Sequence, residues 1–312
     1  MQSGSRGIFY LGKGGAGKTT IAALTALALS QKQYDVALIS MDPAHNLFDI
    51  FQITPSETYT DLSSHLRLEE INPAFWLKKY LETVEAQISR SYQYLTSLGL
   101  EKNFQILQFA PGLEEYALLY AYQTIKEKYA AYDFLIIDMP PTALALRFFA
   151  LPQLSRLWLQ QLLNLRKTIL EKTKIIENIQ QKSAEEIPDR VLQKLISLHE
   201  QNEKIQSEFA QASRTGLYVV LNNDSLSVAE SLDICDKFNI AGLEISGFIL
   251  NKATSLNAEL KSRHSFNQPF LFTLDNAEQP PVGLQTLTEM TKGVDFEGYL
   301  SALLHHPGKS PD

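Results

Sequence analysis

Cysteine is nearly absent from this chain: Cys235 is the single one among 312 residues. A disulfide within the chain is therefore impossible, as is a zinc or iron–sulfur site built from several thiolates of one protomer. A basic excess is missing too. Lysine and arginine number 28 against 35 aspartates and glutamates, a formal net charge of −7. That balance argues against a dedicated nucleic-acid binder, whose affinity rests on a concentrated basic face. No apolar run approaches the ~18 residues that a membrane helix requires. The opening "MQSGSRGIFYLG" passes straight into an expected strand, with no apolar core of signal-peptide length. These absences predict a soluble, cytoplasmic protein with no nucleic-acid partner and no stable membrane insertion.

What is present is an ordinary globular balance, 45% hydrophobic and 20% charged. Short apolar runs stand at Gly7–Leu11, Asp35–Ser40, Tyr132–Asp138, Gly216–Asn222, Ile245–Asn251 and Pro269–Leu274. Helical stretches separate them, among them the Ala/Leu-rich "IAALTALALSQK". Near-continuous apolar strands alternating with helices predict an α/β protein whose mostly parallel sheet is covered on both faces. Two longer helical stretches interrupt the rhythm, at about 73–100 and about 152–213. In the first, Phe75, Trp76, Tyr80, Val84, Ile88, Tyr92, Leu95 and Leu98 recur at helical spacing. In the second, Leu154, Trp158, Leu162, Leu165, Ile169 and Ile176 form one stripe, followed by a polar break at Pro188 and then Leu192, Leu195, Ile196, Ile205 and Phe209. The expected organisation is a single nucleotide-binding domain over 1–312 carrying a helical subdomain.

The strongest local signal is "GKGGAGKTT", Gly12 to Thr20. Gly12, four further residues, then Gly17, Lys18 and Thr19 fit a phosphate-binding loop, with a strand before and a helix after. Gly12, Gly14, Gly15 and Gly17, with Ala16 between them, let successive backbone N–H groups turn toward the β- and γ-phosphates of ATP. Lys18 adds a point charge, the Thr19 hydroxyl is placed to ligate Mg²⁺, and Thr20 at the helix N-terminus can reach the α-phosphate. Lys13 is more than such a loop requires. A lysine there resembles the deviant-Walker class, in which it crosses a two-fold dimer to the partner's phosphates. That resemblance implies a homodimer, with Lys13 stabilising charge that develops as the γ-phosphate leaves.

Two carboxylates complete the expected site. Asp42, just past the second strand, can position the attacking water at the γ-phosphate. Pro43 stiffens that turn and Asn46 offers an amide for phosphate or interface contacts. Asp138 ends an apolar strand in the Walker-B position, holding Mg²⁺ through water. The "PPT" after it is a candidate switch, able to move the attached helices with nucleotide state. His45 is read as a support for the switch loop and Cys235 as a small buried apolar residue. His305 and His306 fall in a polar tail.

Taken in order, "GKGGAGKTT", "DPAHNLFDIF", "APGLEEYALL" and "DMPPTALALRFFALP" resemble the arsenite-transporting ATPase family, which includes ATPases that target tail-anchored membrane proteins. The resemblance implies ATP and Mg²⁺ as cofactors, Asp42 as the residue that activates water, and Asn251 in "FILNKA" as an adenine contact. In the targeting branch it implies an apolar groove beside the switches for a client transmembrane helix. This chain departs from the pattern. "TAL" (Thr142–Leu144) stands where the family usually has Thr-Gly-His, and "KSRHSFNQPF" lacks the Cys-x-x-Cys pair that binds zinc across the dimer. A zinc-free dimer is expected, and metalloid stimulation is disfavoured. Glu114 and Glu115 match a family block without an assignable chemical role.

The stripe from Leu154 to Ile176 has two readings: core packing, the usual fate of apolar stripes, or a groove left partly exposed. Function divides in the same way. The first expectation is an ATPase whose cycle opens and closes a surface for an apolar helical client. The alternatives are the energising subunit of an anion or metalloid pump and a partition-type nucleotide-gated scaffold.

Overall fold

The computed structural model describes residues 4–44, 47–56, 58–91, 112–179, 189–253, 270–275, 280–293 and 296–304. Strands β1 (Arg6–Leu11), β2 (Val36–Ser40) and β5 (Phe134–Asp138) form the centre of an eight-stranded sheet. Beside them lie β6 (Thr215–Asn222), β7 (Gly247–Ala253) and β8 (Phe270–Asp275) on one flank, and β4 (Leu66–Glu70) and β3 (Thr60–Ser63) on the other. The spatial order is β3-β4-β2-β5-β1-β6-β7-β8. Every pairing is parallel except the β3–β4 hairpin at the edge. All residues of β2 and β5 are buried, as expected of parallel strands covered on both faces.

The six runs picked out as strands all lie in this sheet. The hairpin in "TDLSSHLRLEE" carried no such run, because β3 alternates half-buried and exposed residues and only Leu66, Leu68 and Glu69 of β4 go inside. Its edge position explains both the polarity and its silence in the sequence.

Each face of the sheet has its own core. One holds Tyr10, Ile21, Leu24 and Tyr299, contributed in part by α1 (Lys18–Gln31), α8 (Leu284–Gly293) and α9 (Phe296–Leu304). The other is aromatic: Phe9, Tyr122, Phe148, Phe149, Phe209 and Phe238 meet ring to ring. Those rings come from β1 and from α4 (Leu113–Lys128), α5 (Thr142–Ile179), α6 (Arg190–Ala210) and α7 (Ser225–Ile240). A short α2 (Leu47–Phe51) and the longer α3 (Pro73–Ser91) complete the described helices. No helix among the described residues is long and apolar enough to cross a membrane.

The helical layer departs from expectation in two ways. First, α5 starts at Thr142 rather than near Pro152 and runs 38 residues with Pro152 inside it. The pyrrolidine ring has no N–H, so the carbonyl one turn back goes without that intrahelical bond while the helix continues. Second, the stripe does not pack into a core. Leu154 is 54% exposed, Trp158 72% and Leu165 57%, and Leu162, Ile169 and Ile176 are exposed as well. On α5's other side Leu163 is buried, and α6 packs along the helix. Helices α4, α6 and α7 all pack on α5, yet they leave the side bearing the stripe in water. On α6, Ile205 and Phe209 are buried while Ile196 is exposed. In α3, Trp76 is buried and Phe75 exposed. Tyr92, Leu95, Leu98, Pro188, His45, Asn46, His305 and His306 lie outside the described residues, as does the side chain of Ile88.

Candidate active site

The parallel register brings the C-terminal ends of β1, β2, β5, β6 and β7 to one edge. Asp138 stands beside Tyr10 on one side and Ser40 on the other, and Asn222 stands beside Asn251. Past the end of β1 the chain turns through Gly12–Gly17 into α1. Two glycines there are obligatory for separate reasons. Gly12 has φ +138°, and a Cβ on it would sit 2.2 Å from the Val220 carbonyl oxygen on β6. Gly17 has φ +94°, and its Cβ would meet the Asn251 Nδ2 at 2.1 Å. Around Gly14, by contrast, a Cβ would find open space.

Lys18 opens α1 and is buried, its Nζ 3.4 Å from the Lys13 carbonyl oxygen, so the ammonium is folded back over the loop. The Thr19 hydroxyl donates to Asp138 Oδ2 at 2.7 Å, and the Ser40 hydroxyl makes a longer contact to the same oxygen at 3.5 Å. Asp138 is fully buried. Its other oxygen, Oδ1, has no hydrogen-bond partner. Burial pushes its carboxyl up to about 7; the Asp42 charge pushes the same way, and Thr19, Lys18 and Ser40 oppose. A buried carboxylate with an unsatisfied oxygen fits a cation, whose charge would reverse the cost of desolvation. Thr19 and Asp138 are thus together where Mg²⁺ was expected.

Asp42 is half-buried beyond β2, its Oδ1 accepting from the Ala44 N–H at 3.0 Å. It lines a cleft of about 460 Å³ together with Gly15, Gly17, Lys18, Thr19 and Thr20. Ala16 is buried, and its carbonyl accepts from Asn251 Nδ2 at 2.8 Å. Asn251 thereby braces the loop as well as lining the cleft. Downstream of Asp42, α2 is held by Glu70, whose Oε1 accepts from the N–H groups of Leu47 at 2.7 Å and Phe48 at 3.3 Å.

Lys13 points elsewhere. Its ammonium pairs with Glu230 on α7 at 3.1 Å, both groups partly exposed, and it is not among the residues lining the cleft. Glu115 is buried and pairs with Arg147 at 2.8 Å, linking α4 to the first turns of α5. Cys235 is half-buried with its thiol pushed up to about 11, chiefly by burial.

Sequence reasoning did not single out Ser40, Lys252 or Asp275, and the structure places all three at the site. Lys252 could have been noticed as the immediate neighbour of Asn251. Asp275 had no signal, because only the parallel register of β8 with β7 carries it to this edge.

A family model described as anion-transporting ATPase matches residues 5–282 of the chain. Over 278 residues the chain is 26% identical to a Chlorobaculum tepidum protein named among the arsenical pump-driving ATPases, covering 87% of this chain and 67% of that one. Over 335 residues it is 27% identical to ATPase get3 of Aspergillus terreus, covering 98% of this chain and 92% of the relative. An ATPase ASNA1 homolog of Plasmodium falciparum is 27% identical over 247 residues, 78% of this chain and 62% of the other.

Proposed function

The chain belongs to the anion-transporting ATPase family and is an ATP hydrolase; on that premise we propose that it works as a homodimer using Mg²⁺-dependent ATP binding and hydrolysis to expose and withdraw an apolar helical surface for a client. The observation that carries this reading is the course of α5. It begins at Thr142, four residues past Asp138, and the same helix presents Leu154, Trp158, Leu162, Leu165, Ile169 and Ile176 to solvent. At 1.5 Å per residue it extends roughly 57 Å. One continuous element therefore joins the phosphate end of the sheet to an exposed apolar stripe, the kind of connection that converts nucleotide state into movement. Helices α3, α5 and α6 act in this reading as a client-binding subdomain.

At the site, the loop N–H groups and Lys18 hold the triphosphate. Thr19 and Asp138 would hold Mg²⁺, which would offset the charge of the phosphates. Asp42 orients the attacking water and receives its proton, and the Asn46 amide serves phosphate or interface contacts. Lys13 of each protomer leaves Glu230 and supplies positive charge to the partner's γ-phosphate. The cytoplasm is the expected compartment.

The names of relatives favour a second reading, the energising subunit of an anion pump. Cys235, the single cysteine, offers no multi-thiolate metalloid site within one chain. Arsenite stimulation of ATP turnover would support that reading and count against the client surface.

The direct test loads Asp42→Asn with ATP and measures binding of a synthetic single apolar-helix peptide, with Lys18→Ala as the nucleotide-free control. ATP-dependent dimerisation and peptide capture by Asp42→Asn alone are expected. A monomer that ignores the peptide in both variants would overturn the proposal.

A further inference from the structure

A second cleft, of about 660 Å³, opens between β4, the start of α3 and the end of α4, and shares no lining residue with the one at the phosphate edge. Its volume falls within the roughly 300–1,000 Å³ that small-molecule sites occupy. Phe48, Trp76 and Ile125 are buried apolar walls, and Pro55 adds to them from the rim. Successive helical positions lie about 100° apart, so burying Trp76 turns Phe75 outward. Phe75 is accordingly 55% exposed, its ring set edge-on to Trp76 at 5.6 Å. Ser56, Thr58, Asn72 and Thr124 make up the neutral polar part of the lining.

Of the four charged groups in the cleft, three are answered within the fold. Glu69 Oε2 accepts from the Lys128 ammonium and from the Tyr129 hydroxyl, each at 2.7 Å. Glu70 Oε1 accepts the N–H groups of Leu47 and Phe48. Lys79 has no carboxylate partner among the described residues. Its Nζ stands 4.7 Å from the centre of the Trp76 ring and 5.8 Å from that of Phe75. We propose that this cleft binds a small, flat aromatic monocarboxylate, its ring against Phe75 and Trp76 and its carboxylate on the Lys79 ammonium. Aromatic rings pair with aromatic walls in edge-on or offset geometry, and a cation already held over them meets the acid at the ring's end. One unanswered cation beside Glu69 and Glu70 suits a single negative charge; the second charge of a phosphate would face those carboxylates. An occupant resting on Phe48 also fixes α2, which Glu70 already holds and which begins five residues past Asp42.

The test titrates the full chain with 2-naphthoate and with 2-naphthamide, its uncharged twin. Calorimetry is expected to show naphthoate binding about tenfold tighter than naphthamide. Lys79→Met should bring the two ligands within about twofold of each other, and Phe75→Ala should weaken both by a similar factor. The chain has two tryptophans, Trp76 and Trp158, so a ¹⁵N spectrum reports the location, with Trp158→Phe assigning the indole signals. Naphthoate should move the Trp76 indole N–H and leave that of Trp158 in place. It should also slow amide exchange over Leu47–Phe51. Equal affinity for the two ligands, a shift confined to Trp158, or no saturable binding of naphthoate would each overturn the proposal. Binding at Trp76 with unchanged exchange in α2 would overturn the link to that helix. Thermal melts of each variant separate these outcomes from unfolding.

Discussion

The phosphate edge of the sheet and the α5–α6 pair treat polar and apolar groups in opposite ways. At the edge, a carboxylate is fully buried with one oxygen unpaired, a lysine is buried against backbone, and two glycines sit where no side chain fits. Along α5, large apolar side chains stand in water, and the polar contacts are surface pairs such as Arg156 with Glu203 at 3.7 Å. Each region carries a cost that packing alone would remove: desolvated charge in one, hydrated hydrocarbon in the other. In the proposed function a ligand accounts for each, an anion with its cation at the edge and an apolar surface along the helix, which puts chemistry and recognition in different places joined by one helix.

The comparison can be broken most severely at Gly12. Alanine there combines φ +138° with a 2.2 Å approach to the Val220 carbonyl, so Gly12→Ala should cost about 3 kcal/mol, read as a lowered denaturant midpoint and lost ATP binding. Asp138 gives a sharper, pH-dependent test. Its carboxyl sits near 7 when folded against an ordinary 3.8, so between those values the folded protein keeps a proton that the unfolded chain has released. Its contribution to stability is full below about pH 4 and is lost as pH rises through about 7. Nucleotide-free protein should therefore weaken over that window, and Asp138→Asn should remove that part of the slope; identical slopes would contradict the burial cost.

Smaller effects are expected in the helical layer. Asp189 caps α6 by accepting the Leu192 N–H at 2.7 Å and holds Arg166 of α5 at 2.6 Å, which keeps its carboxyl below the usual range. Asp189→Ala should cost about 1 kcal/mol, seen as faster amide exchange in the first turn of α6. Trp158→Asp, on the exposed stripe, should change stability by less than about 0.5 kcal/mol yet abolish binding of an apolar helical peptide. A large loss of stability would mean that Trp158 is structural.

Much of the fold was legible because buried parallel strands are written as unbroken apolar runs. The β3–β4 hairpin was not, since an edge strand half in water alternates polar residues. At the site, Gly12, Lys18 and Thr19 were readable because a phosphate loop demands residue types at fixed spacing along one stretch of chain, and Asp138 because it ends an apolar strand. Asp275 was silent for the opposite reason: one aspartate on a far strand has no partner within its own neighbourhood. The stripe on α5 was visible as a period, but periodicity reports only that apolar residues share a side of a helix. What faces that side depends on elements distant in sequence.

Local chemistry decided, from the sequence alone, that this chain would curl a loop around phosphates and alternate strands with helices. Glycine conformations, β-propensity and charge act over a few residues. Tertiary structure alone decided that Asp138 loses its water, that Lys13 rests on Glu230, and that Trp158 keeps its own. Solvation and long-range pairing depend on which distant surfaces meet, and only the assembled sheet and its helices settle that.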